Sequence, residues 1–283
     1  MPTIPQPPLN PLEASARTLC ALEQRLRRLY SLRDLTLTLP SGPRPYTIAL
    51  PADPDAPLDR LSALPPGTSL PGQPLPAEMA NVLEESAGAQ ARRAVAAGTH
   101  MPYWGLLWPS GLALAEALFA SPALAQGKRA LELGCGLGAT AIAAIARGMQ
   151  LWAADCFAEA LLFTRYNTLR NTGQTPRTLL LDWRSSLGRA ACLERSPFDV
   201  LLAADVLYEE EDQVPLLELA PRLLAPDGVF WLAQPGRRVS RAFVAAAHER
   251  GWQDDELEYE RAWPPDGDTV RVTVHRLMPP RSF

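Results

Sequence analysis

Residues 131–140 read LELGCGLGAT. A short apolar run passes into glycines at 134, 136 and 138, and an alanine-rich segment follows. That order predicts a strand, a tight turn and the start of a helix. Glycines in such a turn let the backbone approach a ligand closely. The free N–H groups at the start of the next helix face the same space.

Two cofactor geometries fit these ten residues equally well. Gly134, Gly136 and Ala139 satisfy the G-x-G-x-x-G/A spacing of dinucleotide sites. Glu132, Gly134, Gly136 and Gly138, with Cys135 between the first two glycines, satisfy the E-x-G-x-G-x-G turn that cradles S-adenosylmethionine. Glycine-rich turns between strand and helix also occur with no ligand.

Outward from this turn, apolar runs alternate with helical patterns. KRALEL (128–133), QLWAAD (150–155), RTLLLDW (177–183), FDVLLAAD (198–205) and GVFWLAQ (228–234) read as strands. Residues 139–147, 158–171 and 213–224 between them read as helices. Segments 255–260 and 269–277 alternate apolar and polar residues around a PPDGD turn, which predicts an antiparallel hairpin at a sheet edge. The fold class expected is α/β: a Rossmann-like seven-stranded, mostly parallel sheet with an antiparallel edge hairpin, plus an N-terminal α+β extension. Ligands in such sheets bind beyond the carboxyl ends of the strands.

The N-terminal part has a different texture. Sixteen of the 29 prolines fall in residues 1–76. Leu19, Leu22, Leu26 and Leu29 have helical spacing, and residues 34–50 read as a hairpin around a Pro/Gly turn. Residues 51–76 read as a proline-rich connector and 76–97 as a helix. The domains expected are 1–98, an extension with helix and hairpin, and 99–283, the α/β domain.

Composition excludes several classes. The chain has 283 residues, 47% of them hydrophobic, and a net charge of −4. Its only basic cluster is Arg25, Arg27 and Arg28, so no nucleic-acid surface is expected. Cysteines at 20, 135, 156 and 192 and histidines at 100, 248 and 275 show neither a disulfide framework nor a metal-ligand spacing. The first residues do not read as a signal peptide and no apolar run is long enough to span a membrane, so a cytoplasmic protein is expected. Lys128 is the sole lysine, a compositional bias without mechanistic content.

Residues at the strand ends discriminate between the cofactors. Asp155 suits a ribose or, equally, a helix cap, and does not choose. Glu132 would repel a pyrophosphate but suits a cofactor carrying an ammonium and a sulfonium. Asp182 and Trp183 suit an adenine amino group and ring face, against ordinary core packing for the tryptophan. Asp205 and Tyr208 would face the donor methyl, against a capping aspartate and a surface tyrosine. The EEED run at 209–212 is either an acidic lip for a basic substrate or a charged helix start.

Taken in order, LELGCGLG, AAD (153–155), Asn167 with Asn171, LDW (181–183) and ADVLY (204–208) resemble the seven-β-strand S-adenosylmethionine-dependent methyltransferases. The D-x-x-Y at 205–208 and the segment MPYWGLLWPSGLALAEAL (101–118) narrow the resemblance to their lysine methyltransferase-like branch. The latter is similar to the P-[FY]-W-G-x-x-W-P-x-G segment of electron-transfer-flavoprotein β-subunit lysine methyltransferases. The resemblance covers about residues 99–277, and residues 1–98 match no motif of the family.

The resemblance implies a role for each residue. Trp108, with Trp104 as the alternative, would cover the cofactor, and Gly134, Gly136 and Gly138 would line its methionine part. Asp155 would hold the ribose and Trp183 would lie by the adenine. Ala204 would pass beside the methionine end, and Asp205 and Tyr208 would be the catalytic pair shaping the acceptor channel. The implied partner is a protein substrate bearing a lysine. Transfer to a small amine, NAD(P)-dependent oxidoreduction and a catalytically inactive S-adenosylmethionine-binding scaffold are the alternatives. The [DN]-P-P-[YF] signature of base methylation is absent at 205–208, which read DVLY.

Overall fold

The computed structural model describes residues 11–62, 101–121, 125–263 and 267–280. The N-terminal part comprises α1 (Pro11–Leu29), β1 (Leu32–Leu37), β2 (Tyr46–Pro51) and α2 (Ala56–Ser62). Then follow α3 (Pro109–Ala120), β3 (Arg129–Leu133), α4 (Ala139–Ala146), β4 (Gln150–Asp155), α5 (Ala158–Thr172), β5 (Arg177–Leu180) and α6 (Ser186–Leu193). The chain continues through β6 (Phe198–Ala204), α7 (Gln213–Leu223), β7 (Leu224–Gln234), α8 (Arg238–Glu249), β8 (Glu256–Ala262) and β9 (Thr269–Leu277).

Seven strands form one sheet in the order β5-β4-β3-β6-β7-β9-β8. β9 runs antiparallel to both β7 and β8, and the other pairings are parallel. The strand order therefore reverses between β3 and β6, and the crevice lies beyond their carboxyl ends. Leu133 pairs with Ala203, so Gly134 and Ala204 leave the sheet side by side.

Both faces of the sheet are buried, which is why the central strands read as unbroken apolar runs. In β7, Phe230 and Leu232 belong to one core cluster and Trp231 and Ala233 to the other. Leu201 and Leu202 divide in the same way. Residues 140–145 of α4 are all buried, and its small alanines let it lie closely between α3 and α5.

The helix expected at 76–97 lies outside the described residues. The connector expected at 51–76 contains α2 in its described part. Helices α6 and α8 were not anticipated. Ser185 caps α6 by accepting from the Gly188 N–H at 2.9 Å. β5 ends at Leu180, leaving residues 181–183 as a turn over the crevice. Among the described residues no helix is long and apolar enough to cross a membrane.

The hairpin β1–β2 forms its own two-stranded sheet and packs on α5. Its edge is closed by two asparagine side chains spaced one helical turn apart. Asn167 accepts from the Ala49 N–H at 2.8 Å and donates to the Ala49 carbonyl at 2.9 Å. Asn171 does the same to Thr47 at 2.9 and 2.8 Å. Arg170 adds a bidentate pair to Asp34, both contacts 2.7 Å.

Candidate active site

The glycine turn is supported by the strands and helices around it. The N–H groups of Gly134 and Cys135 both donate to the Ala154 carbonyl, at 2.9 and 3.0 Å. The Thr164 hydroxyl donates to the Gly136 carbonyl at 3.0 Å, and the Asn167 amide to the Leu137 carbonyl at 2.9 Å. Two glycines here are steric requirements. A Cβ on Gly134 (φ +70°) would lie 2.7 Å from Val206 Cγ1, and one on Gly138 (φ +84°) 3.0 Å from the Thr164 Cα.

The turn opens onto a cleft of about 780 Å³ including its mouth. Its lining brings together Trp108, Glu132, Gly134, Cys135, Gly136, Gly138, Asp155 and Trp183, and at the other end Ala204, Asp205 and Tyr208. Trp104, Thr140, Cys156 and Phe157 line it as well. Asp182 does not; its carboxylate takes the Arg184 N–H at 2.9 Å and Nε at 3.3 Å. The turn after β5 thus presents the Trp183 ring to the cleft and folds the neighbouring aspartate onto its own chain.

Asp155 ties the glycine turn to the start of α5. Its carboxylate accepts from the Gly136 N–H and the Phe157 N–H, each at 3.0 Å, fixing the glycine turn and the start of α5. Burial raises its pKa to about 6, opposed by those N–H donors. Each oxygen keeps a lone pair for a hydroxyl of a ligand.

Glu132 is 3% exposed and its Oε2 has no hydrogen-bond partner. Burial, reinforced by the Asp155 charge, raises its pKa to about 8, while the Thr140 hydroxyl pulls it down. A buried carboxyl with an unmatched oxygen facing a cleft is a site for a cation or a donor. The Trp183 Nε1 is likewise buried and without a partner.

At the mouth, aromatic rings meet edge to face. Tyr103 stands 6.1 Å from Trp108 and 5.6 Å from Tyr208 between centroids. Burial, then the neighbouring Cys156 and Asp212, pushes the Tyr208 hydroxyl well above its ordinary range, so it remains a neutral phenol. Part of the EEED run has local partners: Glu209 donates its N–H to Asp212 at 3.2 Å, Glu210 pairs with Arg238, and Asp212 lies 3.6 Å from Arg184, while Glu210 and Glu211 stay exposed.

Outside the cleft the fold gathers Asp254, Glu256 and His275. Gln234 decides the character of this cluster. Its Oε1 accepts from Gly236 and Ser240, so its amide N–H₂ faces His275 Nε2 at 3.1 Å. That makes Nδ1 the protonated nitrogen, donating to Asp254 at 2.7 Å. The cluster is a hydrogen-bonded brace and not a set of free metal ligands.

The cleft fits an S-adenosylmethionine-type cofactor. An orphan carboxyl oxygen stands where an ammonium needs one, a carboxylate stands where a ribose needs one, and the glycine cradle is space that side chains would fill. Fold and cleft together define a class I, S-adenosylmethionine-dependent type of methyltransferase architecture. More narrowly, the chain belongs to the lysine methyltransferase family, whose model matches residues 101–249. It is 36% identical over 110 residues to the electron transfer flavoprotein beta subunit lysine methyltransferase of Danio rerio, covering 38% of this chain and 40% of that protein. It is 34% identical over 112 residues to the protein-lysine methyltransferase METTL21E of Mus musculus, covering 38% and 46%. The chain spans about two fifths of the length of the electron transfer flavoprotein beta subunit lysine methyltransferases of Danio rerio and Mus musculus. Among solved structures, the Thermus thermophilus 16S rRNA N2 G1207 methyltransferase in complex with AdoMet and guanosine shares the fold. It has a TM-score of 0.50 and 15% identity, covering 87% of this chain and 50% of that one.

Proposed function

We propose that this chain transfers a methyl group from S-adenosylmethionine to an amine, a lysine side chain of another protein. One observation carries the reading: a single cleft joins the Glu132–Asp155 glycine cradle to the Asp205–Tyr208 mouth. The cofactor supplies an electrophilic methyl on sulfur, so the protein's task is alignment. Glu132 would take the amino-acid ammonium, Asp155 the ribose hydroxyls and Trp183 the adenine face. Asp205 would receive the acceptor's ammonium, which would lose a proton to water so that the neutral amine could take the methyl as its bond to sulfur breaks; Tyr208, held neutral, would orient the amine by a hydrogen bond and not by taking its proton. The family membership and the protein-lysine methyltransferase names of the relatives support the protein acceptor.

Calorimetric titration with S-adenosylmethionine and, separately, NAD tests the cofactor. Micromolar binding of the former that Asp155→Ala abolishes supports the reading; NAD binding alone overturns it. Methyl-tritiated cofactor then tests the acceptor in extract. Label in macromolecules supports a protein substrate, label in small metabolites replaces it with a small amine, and binding without transfer leaves a scaffold.

A further inference from the structure

The QPGR stretch at 234–237 leaves the carboxyl end of β7 and turns into α8. Gln234 Oε1 clamps this turn, accepting from the Gly236 N–H at 2.5 Å and the Ser240 hydroxyl at 2.9 Å, with Gly236 at φ +85°. Arg237 follows at once and reaches back over the cleft. Its Nε donates to Asp205 Oδ1 at 2.8 Å and its Nη2 to Oδ2 at 3.2 Å. Its guanidinium carbon lies 5.7 Å from the Trp108 ring centroid.

Asp205 is fixed just as firmly. Among the described residues it is the non-glycine residue at positive φ (+57°), and its N–H donates to the Ala233 carbonyl at 3.0 Å. Its side chain is 5% exposed, whereas that of Arg237 is 40% exposed. A carboxylate that deep is unfavourable without a cation beside it. Arg237 supplies that positive charge, from a long stem whose side chain is partly open to solvent. A carboxylate flanked by aromatic faces is also what holds an alkylammonium.

We propose, on the methyltransferase reading above, that Arg237 stands in for the acceptor's ammonium in the Asp205–Trp108 subsite and is exchanged for it when the acceptor docks. A neutral acceptor cannot displace the guanidinium without stranding the Asp205 charge. The subsite is thus selective for groups that arrive as cations, and Arg237 is a specificity-determining residue. A purely positioning role predicts the opposite sign, because an Asp205 no longer held in place would bind an amine less well.

The test uses n-butylammonium chloride, a lysine side chain without its backbone, with binding to the full chain read by ligand-observed NMR. Arg237→Ala is expected to bind the probe about tenfold more tightly than wild type, one decade or about 1.4 kcal/mol. Arg237→Lys, which refills the subsite, should stay near wild type. Asp205→Asn added to Arg237→Ala should erase the gain, and butanol, the uncharged analogue, should show none. If melting curves show Arg237→Ala unfolded, Arg237→Gln keeps the stem and takes its place. Equal or weaker butylammonium binding in the folded variant overturns the exchange. S-adenosylmethionine titration of wild type runs alongside. Absence of cofactor binding overturns the methyltransferase reading, whereas cofactor binding without the butylammonium gain overturns only the role of Arg237.

Discussion

Glu132→Gln separates an electrostatic role in cofactor binding from a packing role. With its pKa near 8, Glu132 is mostly protonated at neutral pH in the free protein. The shift from 4.5 to about 8 amounts to about 5 kcal/mol favouring the neutral form, at about 1.4 kcal/mol per unit. An ammonium bound at the orphan oxygen stabilises the ionised form, so binding drives proton release. The sign follows: affinity for S-adenosylmethionine should rise with pH up to about 8 and then level. Between pH 6.5 and 7.5 the gain approaches tenfold, roughly one proton released per cofactor. Asp155, near 6, adds a smaller slope at the acid end. Calorimetry in two buffers of different ionisation enthalpy counts the proton directly. In Glu132→Gln the release should vanish and the affinity become nearly independent of pH over that window. A wild-type affinity flat across it, or a slope that survives in Glu132→Gln, refutes the assignment. The free protein gives a second check. A carboxyl raised on folding contributes stability at low pH that is lost as pH rises from 4.5 through about 8, so Glu132→Gln should melt above wild type at pH 8.

Asp205→Ala should abolish methyl transfer while leaving cofactor affinity within a few fold of wild type, measured by tritium transfer and calorimetry on the same preparation. Gly138→Ala places a Cβ 3.0 Å from the Thr164 Cα at φ +84°, which should cost about 1–3 kcal/mol in urea unfolding and weaken cofactor binding. Asn167→Ala and Asn171→Ala should each destabilise the fold by about 1–3 kcal/mol, because backbone groups of β2 lose their partners. Only Asn167 also holds the Leu137 carbonyl, so only Asn167→Ala should weaken cofactor binding; equal effects would sink that distinction.

The sheet was legible because its central strands, buried on both sides, announce themselves as apolar runs ending in Asp155 and Asp205. The cleft was legible for the same reason, since chemistry-bearing residues at strand ends converge wherever the strand order reverses. Spacing alone places Asp182 near the cleft without fixing its side chain, and in the structure its Oδ1 accepts from Arg184 two positions on. The EEED run carries two meanings in sequence, and the partners of two of its charges, Arg184 for Asp212 and Arg238 for Glu210, are not local to it. Arg237 had no local signal: its partner Asp205 lies 32 residues away, and nothing in QPGR separates it from an ordinary turn. Asn167 and Asn171 entered only as part of a resemblance. Their reach to Thr47 and Ala49, across 124 and 118 residues, is invisible to periodicity.

That long reach sets an order of events when the chain is made. The hairpin leaves the ribosome more than a hundred residues ahead of the two amides that close its edge. A lone two-stranded sheet is marginal in water, and the side chains of Tyr46, Ile48 and Leu50, all buried in the finished fold, have nothing yet to lie against. The hairpin is therefore fixed long after it appears, and any chain interrupted before Asn171 carries an open strand edge.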